Sequence, residues 1–186
     1  MPSIHLSGDT NITFVHVPKS AGSSIGEWLK AHRGTRHSSE WYEHPKLQVM
    51  TTNPTWSFAV VRNPWDRSVS FYHFLKNIHE MYQNKDPYPL FDSWITNLEN
   101  FKLTPTWWFT PATPQVEWTH DVSLILKYEN LSTEFKQIQD MFETTDPLPN
   151  LMVTQHYHYK DYYTDTSKSI IANLFQKDIE QFGYSY

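Results

Sequence analysis

The segment that most constrains the fold is Phe14-Val15-His16-Val17-Pro18-Lys19-Ser20-Ala21-Gly22-Ser23-Ser24-Ile25-Gly26-Glu27-Trp28-Leu29. An apolar, β-branched run stops at a proline. A lysine and a cluster of small residues follow, and an amphipathic helical pattern starts at the paired serines. Strand, small-residue turn and helix start, in that order, aim backbone N–H groups and the positive end of a helix dipole at one spot. Lys19 adds a full positive charge there. The segment suits a multiply charged anion, above all the phosphates of a nucleotide.

It is not the P-loop of ATPases and kinases. That loop reads G-x-x-x-x-G-K-[ST], with the lysine after the second glycine, whereas Lys19 precedes the only glycine of this turn. No Gly-x-Gly-x-x-Gly occurs either, so a dinucleotide fold has no support.

A second segment repeats the logic: Trp56-Ser57-Phe58-Ala59-Val60-Val61-Arg62-Asn63-Pro64-Trp65-Asp66-Arg67-Ser68-Val69-Ser70-Phe71-Tyr72. A short apolar run reads as a buried strand ending in Arg62. Pro64 breaks it, and Asp66 is the expected N-cap of the helix that follows. Ser70 is expected about one turn into that helix, near enough to its start to share an anion with Arg62, whose planar donor fork suits a phosphate. The competing role for Arg62 is a salt bridge to Asp66. Arg67 has two readings, a phosphate contact or a pairing with a carboxylate, and the structural one is favoured.

With both segments in view, the chain resembles the sulfotransferases that use 3′-phosphoadenosine 5′-phosphosulfate, and especially the carbohydrate sulfotransferases and their bacterial counterparts. The His16–Ser24 stretch resembles their 5′-phosphosulfate loop, although the usual Thr-Gly-Gly-Thr is Ser20-Ala21-Gly22-Ser23 here. The Arg62–Tyr72 stretch resembles their 3′-phosphate element. Pro114-Gln115, Leu126-Lys127-Tyr128-Glu129-Asn130-Leu131, Tyr159-Lys160-Asp161-Tyr162-Tyr163 and Asp178-Ile179-Glu180-Gln181-Phe182-Gly183-Tyr184 resemble later parts of the same family. The resemblance implies an α/β fold, a three-layer sandwich around a central parallel sheet. It also implies that the 5′-phosphosulfate donor and its product, 3′-phosphoadenosine 5′-phosphate (PAP), bind here without a metal.

The same resemblance implies roles. Lys19 neutralises the 5′-phosphosulfate, with Pro18, Ser20, Ala21, Gly22, Ser23 and Ser24 forming the donor cradle, while Arg62 and Ser70 hold the 3′-phosphate. Tyr159 and Lys160 are expected to close over the nucleotide. An acceptor hydroxyl needs a general base, worth about 10²–10⁴-fold in rate. Ten histidines offer themselves, and residue type alone cannot choose among them. His37, in Arg36-His37-Ser38-Ser39-Glu40, is one choice if its segment forms a strand beside strand one. Glu40 is the other. His16 is read as a buried hydrogen-bonding residue rather than a catalyst, and His156 and His158 as surface residues rather than metal or substrate ligands. Trp107, Trp108 and Phe109, in a proline-spaced irregular stretch, are the expected wall for a sugar acceptor, although core packing would use the same residues.

Composition bounds the alternatives. The 186 residues, 39% hydrophobic, suit one domain spanning residues 1–186. A net charge of −5 argues against general nucleic-acid binding. The chain has no cysteine, so its fold needs no disulfide. Neither a membrane-spanning run nor a signal peptide is read, so a soluble, cytoplasmic enzyme of a bacterium or of a virus in its host cell is expected, or else a trimmed chain. The expected acceptor is a glycan or another hydroxyl compound. A nucleotide-dependent kinase and an inactive nucleotide-binding module are the alternative functions.

Strands are expected at 12–17, 57–61 and 123–128. Helices are expected at 23–32, 39–48, 66–82, 90–100, 131–142 and 167–181. In the third helix Val69, Tyr72, Leu75, Ile78 and Tyr82 should share a buried face. Alternating strands and helices imply a parallel sheet, with the ligand beyond the carboxyl ends of its strands.

Overall fold

A computed structural model of the chain describes residues 2–5, 11–32, 36–37, 56–82, 85–98, 111–151 and 156–186, with backbone alone for 2–5, 11 and 36–37. Two compact units emerge, one of Met1–Arg62 with Glu117–Val153, the other of Asn63–Val116 with Thr154–Tyr186.

The first unit holds one five-stranded sheet. Its strands are β1 (Pro2–His5), β2 (Asn11–Val15), β3 (Arg36–His37), β4 (Trp56–Val61) and β5 (Leu124–Lys127), in spatial order β3-β1-β2-β4-β5. β2, β4 and β5 are parallel neighbours, with Phe14 opposite Phe58 and Val61 opposite Lys127. The expected central parallel sheet is therefore present, and it carries an antiparallel edge, where β1 runs antiparallel to both β2 and β3. A parallel pair requires a crossover of about a dozen residues or more, and only residues 6–10 separate β1 from β2. The segment carrying His37 does form a strand, but it pairs with β1 rather than with β2, in the register Pro2 opposite His37. It therefore sits one strand further out than expected.

Alternation along the strands sends Ile12, Phe14, Phe58, Val60 and Leu126 to one face of the sheet. There they meet Ile25, Trp28 and Leu29 of helix α1 (Gly22–Ala31) and Leu131, Phe135, Ile138 and Phe142 from the chain after β5. The i, i+3, i+4 spacing in α1 is what gives that helix its apolar stripe. Trp28 packs edge-on to Phe135 and Phe142 and donates its indole N–H to the Asp146 carbonyl at 2.9 Å.

α1 begins within one or two residues of its expected start, and β4 and β5 likewise. The expected helix 131–142 is instead two short ones, α5 (Leu131–Glu134) and α6 (Lys136–Met141), broken at Phe135, whose side chain is buried in the core. Helix α4 is a single turn, Val116–Thr119.

The second unit is helical. It contains α2 (Pro64–Met81), α3 (Phe91–Thr96), α7 (Asp165–Leu174) and α8 (Gln176–Phe182). The N-cap of α2 is Asn63, not Asp66: the Asn63 side-chain oxygen Oδ1 accepts the Trp65 N–H at 3.0 Å, and Pro64 takes the first helical position. On α2, Val69, Tyr72 and Leu75 are buried as expected, whereas Tyr82 lies past the helix end and is exposed. Tyr72 meets Phe91 and Trp94 edge-on, and its hydroxyl donates to the Pro89 carbonyl at 2.9 Å. Among the described residues, many of the aromatic side chains thus fill cores. Thr164 and Ser167 form a reciprocal capping box at the start of α7, three residues before the expected boundary at Ser167. The expected helix 39–48 and most of the irregular stretch 101–113 lie outside the described residues.

Candidate active site

β2, β4 and β5 are parallel and adjacent, so their carboxyl ends share one edge of the first unit, where ligands of open α/β sheets bind. Each strand delivers one candidate segment to that edge: the turn from His16 to Ala21, then Arg62, then Tyr128.

The turn after β2 is built by unusual backbone. The Val17 N–H closes onto the Val15 carbonyl at 3.1 Å as the strand ends. Lys19 and Ala21 both take the left-handed conformation, at φ 67° and 61°, with Ser20 between them outside it. Such alternation turns consecutive N–H groups toward one concave side, the nest that receives anions. α1 then starts with Ala21 as N-cap, without a side-chain cap and with no acidic residue in its first turn. Its leading N–H groups are left for another acceptor. Gly22 is required by His16: a Cβ at position 22 would lie 1.7 Å from the His16 ring nitrogen Nε2. His16 itself is half-buried rather than buried as expected, and it stacks against Phe14 at 5.8 Å between ring centroids. Ser20 is fully buried and Ser23 exposed. The Ser24 hydroxyl accepts the Leu151 N–H at 3.1 Å, tying the start of α1 to the chain after α6.

Lys19 and Arg62 meet at this turn. An Arg62 guanidinium N–H (Nη1) donates to the Lys19 carbonyl at 3.2 Å, and the Arg62 side chain is buried. Its Cζ lies 4.1 Å from the centre of the Tyr128 ring. Burial, then the Arg62 charge, pulls the Lys19 ammonium down from the ordinary 10.5 to about 8. Two cations held this close favour an anion of more than one charge, because such an anion relieves their mutual repulsion and the cost of their burial.

The remaining expected residues fall as follows. Ser70 is buried in the second turn of α2, two residues further in than expected because α2 starts at Pro64 rather than Asp66. Arg67, one turn earlier, is buried and donates to the Thr113 carbonyl at 3.1 Å. It belongs to a structural clamp in which Asp178 accepts the Gln115 N–H at 2.8 Å and the Val116 N–H at 2.9 Å. Tyr159 and Lys160 open a 3₁₀ turn, Tyr159–Tyr162, and the Lys160 ammonium lies 5.2 Å from the Tyr186 ring centre. His37 is described in its backbone alone, and Glu40, Trp107, Trp108 and Phe109 lie outside the described residues.

In the sequence Tyr128 stands only as one residue of the Leu126–Leu131 motif, with no role of its own. The available signal was register: with Val61 opposite Lys127, the next residues along the two parallel strands are Arg62 and Tyr128. Among the described residues, no group of three or more His, Asp or Glu could hold a metal ion, and no helix is long and apolar enough to cross a membrane.

A family model described as "Sulfotransferase family" matches residues 2–185. Comparison with curated proteins gives no match. Among solved structures, mouse sulfotransferase SULT7A1 complexed with PAP aligns over 91% of this chain and 84% of that one, with a TM-score of 0.53 and 13% identity. At that identity the likeness is one of fold.

Proposed function

This chain belongs to the sulfotransferase family, and on that premise we propose that it moves a sulfuryl group from 3′-phosphoadenosine 5′-phosphosulfate to a hydroxyl of a carbohydrate. The observation that carries this reading is the turn at Lys19, with its two left-handed residues, uncapped helix start and buried Arg62 neighbour. Such a turn fits the 5′ end of the donor.

In this reading the acceptor oxygen attacks sulfur in line. The new S–O bond forms as the bond from sulfur to the phosphate oxygen breaks. The acceptor proton passes to a base, for which His37 is the first candidate and Glu40 the second. Lys19 and the amide groups of Ser20 to Ser24 take up the charge that develops on the leaving phosphate, which is electrostatic stabilisation by preorganised donors. Arg62 and Ser70 hold the 3′-phosphate, and Tyr159 and Lys160 cover the nucleotide. Trp107, Trp108 and Phe109 supply faces for a sugar ring. The remainder of the rate comes from positioning, as in phosphoryl transfer.

The test is transfer of radiolabelled sulfate from the donor to a panel of oligosaccharides, with tyrosine peptides and small alcohols as competing acceptors. Labelling of a sugar that is lost in Lys19→Ala and falls by about 10²-fold or more in His37→Ala supports the reading. Labelling of a non-carbohydrate alone removes the glycan assignment. Tight PAP binding with no labelled acceptor leaves a nucleotide-binding module, and stabilisation by ATP rather than PAP points to a kinase.

A further inference from the structure

We propose that Arg62 is a positioning residue for the Lys19 turn as well as a ligand for the far phosphate, held in that double role by the ring of Tyr128. The inference rests on the donor-binding reading above for its ligand but on the first unit's own geometry for its mechanism. The carbonyl of Lys19 belongs to a residue at φ 67°, a conformation that L side chains leave readily unless something holds them. The Arg62 Nη1 bond at 3.2 Å holds that carbonyl, and the carbonyl's orientation fixes the direction of the next N–H in the nest. The guanidinium is fixed in turn. Its backbone leaves the end of β4, its side chain is buried, and its plane carbon sits 4.1 Å from the Tyr128 ring centre. An arginine can stack on a ring and donate from its edge at once, because the guanidinium is planar with donors around its rim. A lysine at position 62 would keep the charge and lose the fork.

The consequence is coupling between the two ends of the donor. If Arg62 served the 3′-phosphate alone, changing it would leave recognition of a ligand without that phosphate untouched. If it also braces the turn, such a ligand is weakened too. Tyr128 then matters through its ring face rather than its hydroxyl, so Tyr128→Phe should behave as the parent and Tyr128→Leu should not.

Two measurements on the full chain decide this. Calorimetric affinities for PAP and for adenosine 5′-phosphosulfate, which lacks the 3′-phosphate, are compared in the parent, Arg62→Lys, Tyr128→Leu, Tyr128→Phe and Ser70→Ala. Amide hydrogen exchange of residues 19–24 is followed in the same proteins without ligand. Arg62→Lys should weaken adenosine 5′-phosphosulfate about tenfold, Tyr128→Leu about three- to tenfold, and Ser70→Ala less than about twofold. Both Arg62→Lys and Tyr128→Leu should speed exchange in the turn while the strands keep their protection, and Tyr128→Phe should restore the parent values. Unchanged exchange at 19–24 in Arg62→Lys overturns the brace, as does unchanged affinity for adenosine 5′-phosphosulfate. Should Arg62→Lys fail to fold, the Tyr128 pair carries the same decision. If the parent binds neither nucleotide, the donor reading fails, and the exchange data still decide whether Arg62 braces the turn.

Discussion

The His16 imidazole fills the space beside Gly22, with its Nε2 where it would stand 1.7 Å from any Cβ at that position. A residue at the end of β2 thereby dictates the residue that opens α1, and the turn between them is closed to one methyl group. Gly22→Ala must push the ring away from its stack on Phe14. The expected cost is about 1–3 kcal/mol of unfolding free energy. The His16→Ala, Gly22→Ala double variant should cost no more than His16→Ala alone. Urea unfolding of all four proteins in a double-mutant cycle measures the coupling; additive losses would show that the ring is not what excludes the methyl.

Ala21 departs from the glycine usual at this place in the family, and it occupies φ 61°. For a residue with a Cβ the left-handed region costs roughly 1–2 kcal/mol, while glycine gives back part of that through its freer unfolded chain. Ala21→Gly should therefore stabilise the protein by about 0.5–1 kcal/mol. Gly183, at φ +62° where α8 ends, makes the opposite control: Gly183→Ala should cost about 1 kcal/mol although open space surrounds the added methyl. Thermal or urea unfolding reads both signs.

With the donor site as proposed, Lys19 should make PAP binding depend on pH. Its ammonium titrates near 8 in the unliganded protein, through burial and then Arg62, and a bound phosphate moves that value back up. Between the two values binding takes up a proton, so affinity holds below about pH 8 and falls above it, by at most about tenfold per pH unit. The unliganded protein behaves in the opposite sense. A folded value below the ordinary 10.5 means that Lys19 contributes rising stability between about pH 8 and 10.5. Calorimetry in buffers of different ionisation enthalpy counts the proton directly. In Lys19→Gln the pH dependence of PAP affinity above 8 should flatten.

Asp178 is fully buried and accepts two backbone N–H groups from the chain entering α4. Burial raises its pKa against the opposing effects of Arg67 and those two bonds. Its contribution to stability is thus greatest at low pH and declines as pH rises through the folded value. Asp178→Ala strands both N–H groups and the buried Arg67, and should cost about 3 kcal/mol or more. Asp178→Asn keeps one acceptor and should cost about 1–3 kcal/mol. A chevron or urea series that ranks Asn as the worse change would contradict this account of the clamp.

The turn at Lys19 is legible because proline, lysine and small residues interrupt an apolar run in one short window. β2, β4 and β5 are legible as short apolar runs, and α1 by its helical period. What the sequence concealed depends on distant partners. β1 is four residues long and opens with proline, so it offers little periodicity to read. The breaks at Phe135 and Phe175 fall inside patterns that look helical throughout, and the burial of each ring marks them only in three dimensions. Asn63 and Asp66 are both good caps, and the Asn-Pro pair carries the better signal. The pairing of Arg62 with Tyr128 needed the register of β4 on β5, which no local window contains.

The most direct test is a crystal structure with PAP bound. The account predicts the 5′-phosphate within hydrogen-bonding distance of the Lys19 ammonium and of the amides leading into α1, with the 3′-phosphate on Arg62 and Ser70. PAP lodged elsewhere, with the Pro18–Ser24 turn touching neither phosphate, would contradict it.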